Sequence, residues 1–192
     1  DKAIYAYGYA SSSNVSMSNL VSNSGVVASD VTGVGTARRY LSATNYGGTS
    51  TAIFAYGYTG SYVSMSNLCN SSGVIATDVT GVGTAREGMG SAGYGYDKAI
   101  FAFGANASGT LSMSNLVNSS GVIATDTTGV GTTRYGLAAS TYGGDKAIFG
   151  FGGVPALSMT NLVNNSGVVA SDVTGVGTDR YYLAAAAYST SA

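Results

Sequence analysis

The stretch Asp126-Thr127-Thr128-Gly129-Val130-Gly131-Thr132-Thr133-Arg134 is one of four near-copies in the chain, the others running 30–38, 78–86 and 172–180. Their arginines stand at 38, 86, 134 and 180, so the unit repeats at intervals of 48, 48 and 46 residues. A period of this length belongs to propellers and other arrays, in which one supersecondary unit cannot bury its faces alone and stacks on its neighbours.

Outward from this loop, each unit reads as four short strands. Ala3-Ile4-Tyr5-Ala6-Tyr7-Gly8-Tyr9 alternates large and small residues with period two, the mark of a strand, and returns at 52–58, 99–104 and 147–152. A loop of different sequence follows in every copy, at 10–14, 59–62, 105–109 and 153–156, the last holding the single proline, Pro155. A second strand, Val15-Ser16-Met17-Ser18-Asn19-Leu20-Val21, aligns Met17 with Met65, Met113 and Met159. Once-per-repeat methionine at strand spacing reads as core in preference to a soft-metal surface. Ser-Gly turns at 24–25, 72–73, 120–121 and 166–167 lead into a third strand, such as 26–31, so the second and third strands form a hairpin. The fourth strand, 41–46, recurs at 89–94, 137–142 and 183–188, with small residues between a large first residue and a closing tyrosine. Such residues let backbones approach closely, as the central strand of a propeller with few blades requires.

The 192 residues are 45% apolar and only 9% charged, with formal net charge -1. This is enough for one compact core and offers no electrostatic footprint for nucleic acid. No apolar run is long enough for a membrane helix and no signal-peptide pattern opens the chain, so the segment reads as soluble. It begins at Asp1 in mid-pattern, as a processed product or an excerpt would. A surface of Ser, Thr, Asn, Gly and Tyr is typical of secreted or virion proteins.

All charges but three, Arg39, Glu87 and Asp179, fall in repeated columns, which marks scaffold rather than an active site. There is no histidine, which removes imidazole triads and imidazole metal sites, and Glu87 with Asp179 is a poor carboxylate pair. Gly33-Val34-Gly35-Thr36 looks superficially like a phosphate loop, yet a strand and no helix follows it. Asp30 with Thr32 carries too little ligand charge for calcium. The reading preferred is that Asp and Thr hydrogen-bond the loop while Arg crosses to a neighbouring blade. Cys69 occupies a column of Val21, Val117 and Val163 and reads as a buried small hydrophobe. The chain is therefore expected to be non-enzymatic and without cofactors or a metal site.

The order of small-residue strand, Gly-Gly turn, Asp145-Lys146-Ala147-Ile148-Phe149-Gly150-Phe151-Gly152-Gly153, variable loop, hairpin and Arg resembles the kelch repeat across all four units. The outer-strand Trp of that pattern is missing, with Val27 or Ile75 in its place, and the Gly doublet after the second strand is kept only at 152–153. The spelling is also similar to tandem kelch-like repeats of virion structural proteins in tailed phages. This resemblance implies an all-β, four-bladed kelch-like β-propeller of four-stranded antiparallel blades in one domain, 1–192, with units of about 1–46, 47–94, 95–142 and 143–188. Closure is expected where Leu183 to Tyr188 pairs beside the strand from Ala3 and completes the first blade.

Two functions are weighed. One is a structural or display module of a virion or extracellular fibre, partnered by its own kind or by other fibre subunits. The other is a carbohydrate-binding or adhesion module using the variable loops, since Tyr stacking and Asn or Ser hydrogen bonds suffice for a sugar. The candidate binding face is Tyr9, Asn14, Tyr58, Tyr62, Asn106 and Pro155. Candidate glycan-attachment positions are Asn14, Asn70, Asn106, Asn118 and Asn164. Neither nucleic acid nor membrane insertion is expected.

Overall fold

The structure, a computed structural model, describes residues 2–48 and 50–188; Asp1, first of the repeated Asp column, lies outside them. The described residues are all β, with no helix. The strands are β1 (Ala3–Ala10), β2 (Ser13–Val21), β3 (Ser42–Tyr46), β4 (Thr51–Ala55), β5 (Ser66–Cys69), β6 (Gly90–Tyr94), β7 (Lys98–Ala102), β8 (Ala105–Asn106), β9 (Gly109–Thr110), β10 (Ser114–Val117), β11 (Ala138–Tyr142), β12 (Lys146–Gly150) and β13 (Thr160–Val163). They form antiparallel sheets β1-β2, β3-β4-β5, β6-β7-β10 and β11-β12-β13, with β8-β9 as a small hairpin in one variable loop.

Each three-stranded sheet joins the small-residue strand at the end of one sequence unit to the hairpin of the next. Thr44 pairs with Ile53, and Ile53 with Leu68 on the other side. The expected outer strand is present as a broken edge: Cys69 bridges Ile75 and Ser66 bridges Val79, with the same two bridges in every sheet. Four residue steps face three across this edge, so each outer strand carries a bulge. An asparagine bonds across the gap. Asn67 Nδ2 donates to the Ala76 carbonyl at 3.0 Å and to Asp78 Oδ1 at 2.9 Å, and Asn115 and Asn161 repeat the arrangement.

The sheets stack face to face, and each core lies between two of them. Tyr7 meets Phe54, Cys69 and Ile75 in the first. In the second, Ile53, Ala55 and Tyr56 meet Ala99, Phe101 and Val117. The third brings Ile100, Ala102 and Phe103 against Ala147, Phe149 and Val163. The period-two alternation thus sorts residues between two buried faces, because a stacked sheet has a neighbour on each side. Small residues let the inner strands lie side by side, and Ser42 Oγ and Ser91 Oγ are 2.6 Å apart.

Two expectations need correction. The closing pair is not made within this chain: β1 is bonded to β2 alone, and 183–188 forms no strand, with Tyr188 at 90% exposure. The first sheet consequently lacks its inner strand. The methionine column is not core either: Met17, within β2, is 37% exposed, and Met65 and Met113, immediately before β5 and β10, and Met159, immediately before β13, are half-buried. The isoleucine column is fully buried at Ile53 and Ile100 in the central sheets and half-buried at Ile4 and Ile148 in the terminal ones, which have one neighbour each.

Candidate functional site

Two arrangements carry most of the polar chemistry: the joints between sheets and a cluster of loop residues around Arg39. At the first joint Arg38 is fully buried. Its Nε donates to the Tyr56 carbonyl at 2.9 Å, Nη2 to the Phe54 carbonyl at 3.3 Å and to Asn67 Oδ1 at 2.7 Å, and Nη1 to the Thr36 carbonyl at 3.1 Å. Its guanidinium also lies 4.2 Å above the Tyr7 ring, which packs on Phe54 with centroids 5.6 Å apart. The arginine therefore leaves one sheet and spends its fork on the next, where a planar group with five donors matches several acceptors at once.

The carboxylate at the joint belongs mainly to the loop. Asp78 accepts from Thr36 N at 3.0 Å and from Thr36 Oγ1 at 2.6 Å, across the joint, while holding Asn67 Nδ2 from its own sheet. The second joint repeats this with Arg86, Asn115, Asp126 and Thr84, and the third with Arg134, Asn161, Asp172 and Thr132. Arg86 stacks at 4.4 Å on Tyr56, and Arg134 at 4.2 Å on Phe103. Tyr7, Tyr56 and Phe103 reach this position at φ of 64°, 63° and 64°, a left-handed conformation that the surrounding joint holds in place.

Burial lowers the arginine pKa values from their ordinary range, opposed by the nearby tyrosines and aspartates. Partial burial raises Asp78, Asp126 and Asp172, but the Thr and Asn hydrogen bonds outweigh it and leave all three below the usual carboxylate range. Burial pushes the Tyr56 hydroxyl up to about 12, and Cys69 is a buried free thiol with its pKa likewise raised. No group of three or more metal-ligating side chains occurs among the described residues.

The second arrangement contains four of the six candidate binding residues. Arg39 and Tyr58 exchange backbone hydrogen bonds at 3.1 and 2.8 Å. The Arg39 guanidinium lies 4.6 Å from the Tyr9 ring and 5.2 Å from the Tyr58 ring, and Tyr58 packs edge-on against Tyr62 at 5.3 Å. Asn14 accepts from Arg39 Nη1 at 3.2 Å and donates to the Tyr58 carbonyl at 3.3 Å. Glu87, at the same position of the next joint, has its pKa raised by burial, with Arg39 opposing. Arg39 Nε and Glu87 Oε2 are buried without a partner among the described residues. Asn106 sits in the loop of the following unit, where its side chain accepts from Ser108 N at 2.9 Å. Pro155 is exposed in the fourth loop and makes no contact described with this cluster.

Of the glycan-attachment candidates, Asn14 is half-buried with both ends of its amide engaged. Asn70, Asn118 and Asn164 are exposed, and each closes its hairpin turn by accepting two backbone N–H groups at 3.0 Å. Sequence reasoning missed the column of Asn19, Asn67, Asn115 and Asn161. The signal was present, as an asparagine standing once per unit inside an otherwise apolar strand, which is a polar group that has to find partners. No family model matches this chain, and no curated protein matches it.

Proposed function

We propose that the four sheets are blades of a kelch-like β-propeller, and that the chain is a non-catalytic structural or display module of a virion or extracellular fibre. The observation that carries this reading is the thrice-repeated joint. It engages the recurring Arg, Asp, Asn and Thr columns of the loop and hairpin in holding one sheet to the next, so these polar residues serve assembly of the scaffold, while the recurring Asp97-Lys98 and Asp145-Lys146 pairs bond to each other. Low net charge and a surface that exposes valines and tyrosines such as Val26, Tyr96 and Val176 suit a packed particle. Immunogold micrographs of the full-length product test the proposal: label along a particle or fibre supports it, and a freely soluble product overturns it.

A second reading has its own observation. Tyr9, Tyr58 and Asn14 converge on Arg39 and Tyr62 packs edge-on against Tyr58, gathering aromatic rings of the kind a sugar stacks on. On this reading the module binds carbohydrate through its variable loops. A glycan array with the native chain and with Tyr58→Ala decides it: a signal lost in the variant supports binding, and no signal in the native chain removes it.

A further inference from the structure

Each joint has two halves, and the chain displays one unmatched half at each end of the stack. On the last sheet, Arg180 is exposed, bonded through Nη1 to the Thr178 carbonyl at 3.1 Å and stacked 4.0 Å over Phe151. These are the contacts that Arg38, Arg86 and Arg134 make with their own sheet. Their contacts with the next sheet are missing here. On the first sheet, Asn19 Nδ2 donates to Asp30 Oδ1 at 2.8 Å and to the Ala28 carbonyl at 3.1 Å, as its counterparts do. Among the described residues no arginine reaches Asn19 and no threonine reaches Asp30. Glycines record the same vacancy. A Cβ on Gly35, Gly83 or Gly131 would strike the Asp and Asn of the following sheet, whereas one on Gly177 meets nothing within 4 Å.

The inner strand is the other unmatched part. A cleft of about 780 Å³ opens between the first sheet and β3-β4-β5, lined by Ile4, Leu20, Phe54 and Gly73 among others. In the later joints the corresponding space holds a tyrosine. A Cβ on Gly121 would meet Tyr46 and Leu68, and one on Gly167 would meet Tyr94 and Leu116. At Gly73 the three nearest atoms all belong to Leu20. The first sheet has no inner strand to supply the tyrosine, while the segment 183–188, which ends in the exposed Tyr188, has no sheet.

We propose that this chain associates head to tail with a second copy, the segment 183–188 of one adding as the inner strand along the open edge of β1 in the other. The register follows from β3 on β4, where Ala43 faces Phe54 and Asn45 faces Ala52. Ala185 then faces Tyr5, Ala187 faces Ala3, and Tyr188 enters the cleft beside Gly73. Arg180 reaches Asn19 and the carbonyls of Tyr5 and Tyr7, Thr178 reaches Asp30, and Phe151 packs on Tyr5. Strand addition satisfies backbone groups that an open edge leaves to solvent, and a buried arginine fork sets the partner and the register. A second copy is the occupant proposed because the two half-joints are chemically complementary and the four described sheets leave them apart. Such a contact is heterologous, so repeated addition yields a ring or a filament according to the rotation per copy. The inference deepens the proposed structural role and rests on it for its biological meaning.

The test uses the full chain with Cys69→Val, which places the residue of the equivalent columns at that site. One tagged preparation carries Ala185→Cys and an untagged one carries Tyr5→Cys, and the two are mixed and mildly oxidised. A mixed disulfide dimer on a non-reducing gel is expected. Arg180→Ala and Asp30→Ala, which leave the three internal joints untouched, should each raise the concentration for half-assembly by about tenfold or more. Absence of the mixed dimer overturns the proposal. So does a disulfide found only within single chains that carry both cysteines, since that is closure of one chain on itself. Mixed dimers that form equally well with Arg180→Ala also overturn the joint. If the mixed dimer fails while immunogold places the product in a fibre, the joint is wrong and the structural role stands; the reverse pair of results rejects the role alone.

Discussion

Arg86→Ala is the sharpest test of how the stack holds together. The side chain is fully buried, with Nε 2.9 Å from the Phe103 carbonyl, Nη2 2.7 Å from Asn115 Oδ1 and Nη1 3.0 Å from the Thr84 carbonyl. Truncation leaves at least two of these acceptors buried and unpaired, at about 1–3 kcal/mol each. It also removes the ring contact with Tyr56 and opens a cavity the size of the side chain. Against this stands the cost of having desolvated the guanidinium, which the variant no longer bears. The expected net loss is about 3–5 kcal/mol, the usual result of removing one partner from a buried charged network. Urea unfolding followed by circular dichroism should show the midpoint falling by roughly 1–2 M with little change in slope. Arg180→Ala, assayed at concentrations where the chain is monomeric, removes an exposed side chain with one hydrogen bond and should cost less than about 1 kcal/mol. Arg86→Lys keeps the charge but loses the fork, and should fall between the two. Equal losses for Arg86→Ala and Arg180→Ala would refute the joint as the element that binds sheet to sheet.

Three further outcomes are expected. The pKa values of Asp78, Asp126 and Asp172 are depressed in the folded chain, so their contribution is fully present above the unfolded carboxylate value of about 3.9 and is lost as pH falls through the lower folded values; urea midpoints should drop below about pH 4, and Asp126→Asn should flatten that slope. Ile100→Ala, at a position with no exposure between two sheets, should cost about 2–5 kcal/mol, and Met113→Ala, half-buried immediately before β10, about 1 kcal/mol, both read from the same urea curves. Gly83→Ala combines a left-handed φ of 76° with a Cβ that would lie 2.6 Å from Asn115 Nδ2, and should lower thermal stability more than Gly177→Ala, where φ is 88° but the space is open.

What the sequence by itself determined is the local and the repeated. Alternation in Ala52 to Tyr58 marks a strand because side chains on a pleated backbone point to opposite faces, and the Gly-Gly and Ser-Gly turns fix where the chain reverses. The Asp-Thr-Gly-Val-Gly-Thr-Arg columns showed that Asp and Thr order a loop and that Arg crosses to a neighbour, since a charge present once per unit needs a partner present once per unit. Only the tertiary structure decided who that partner is. Asn67 in one strand, Asp78 beyond a bulge and Arg38 from the preceding sheet are far apart in sequence and meet because stacking brings two sheets together. The same cause explains the corrections. Whether Met113 is buried depends on the stacking of sheets, and whether Leu183 to Tyr188 pairs with β1 depends on the rotation between sheets. Neither quantity is carried by the pattern of any one strand. Arg39 stood out in the sequence only as an unrepeated charge, and its gathering of Tyr9, Asn14 and Tyr58 arises because loops of two successive units emerge side by side on one scaffold.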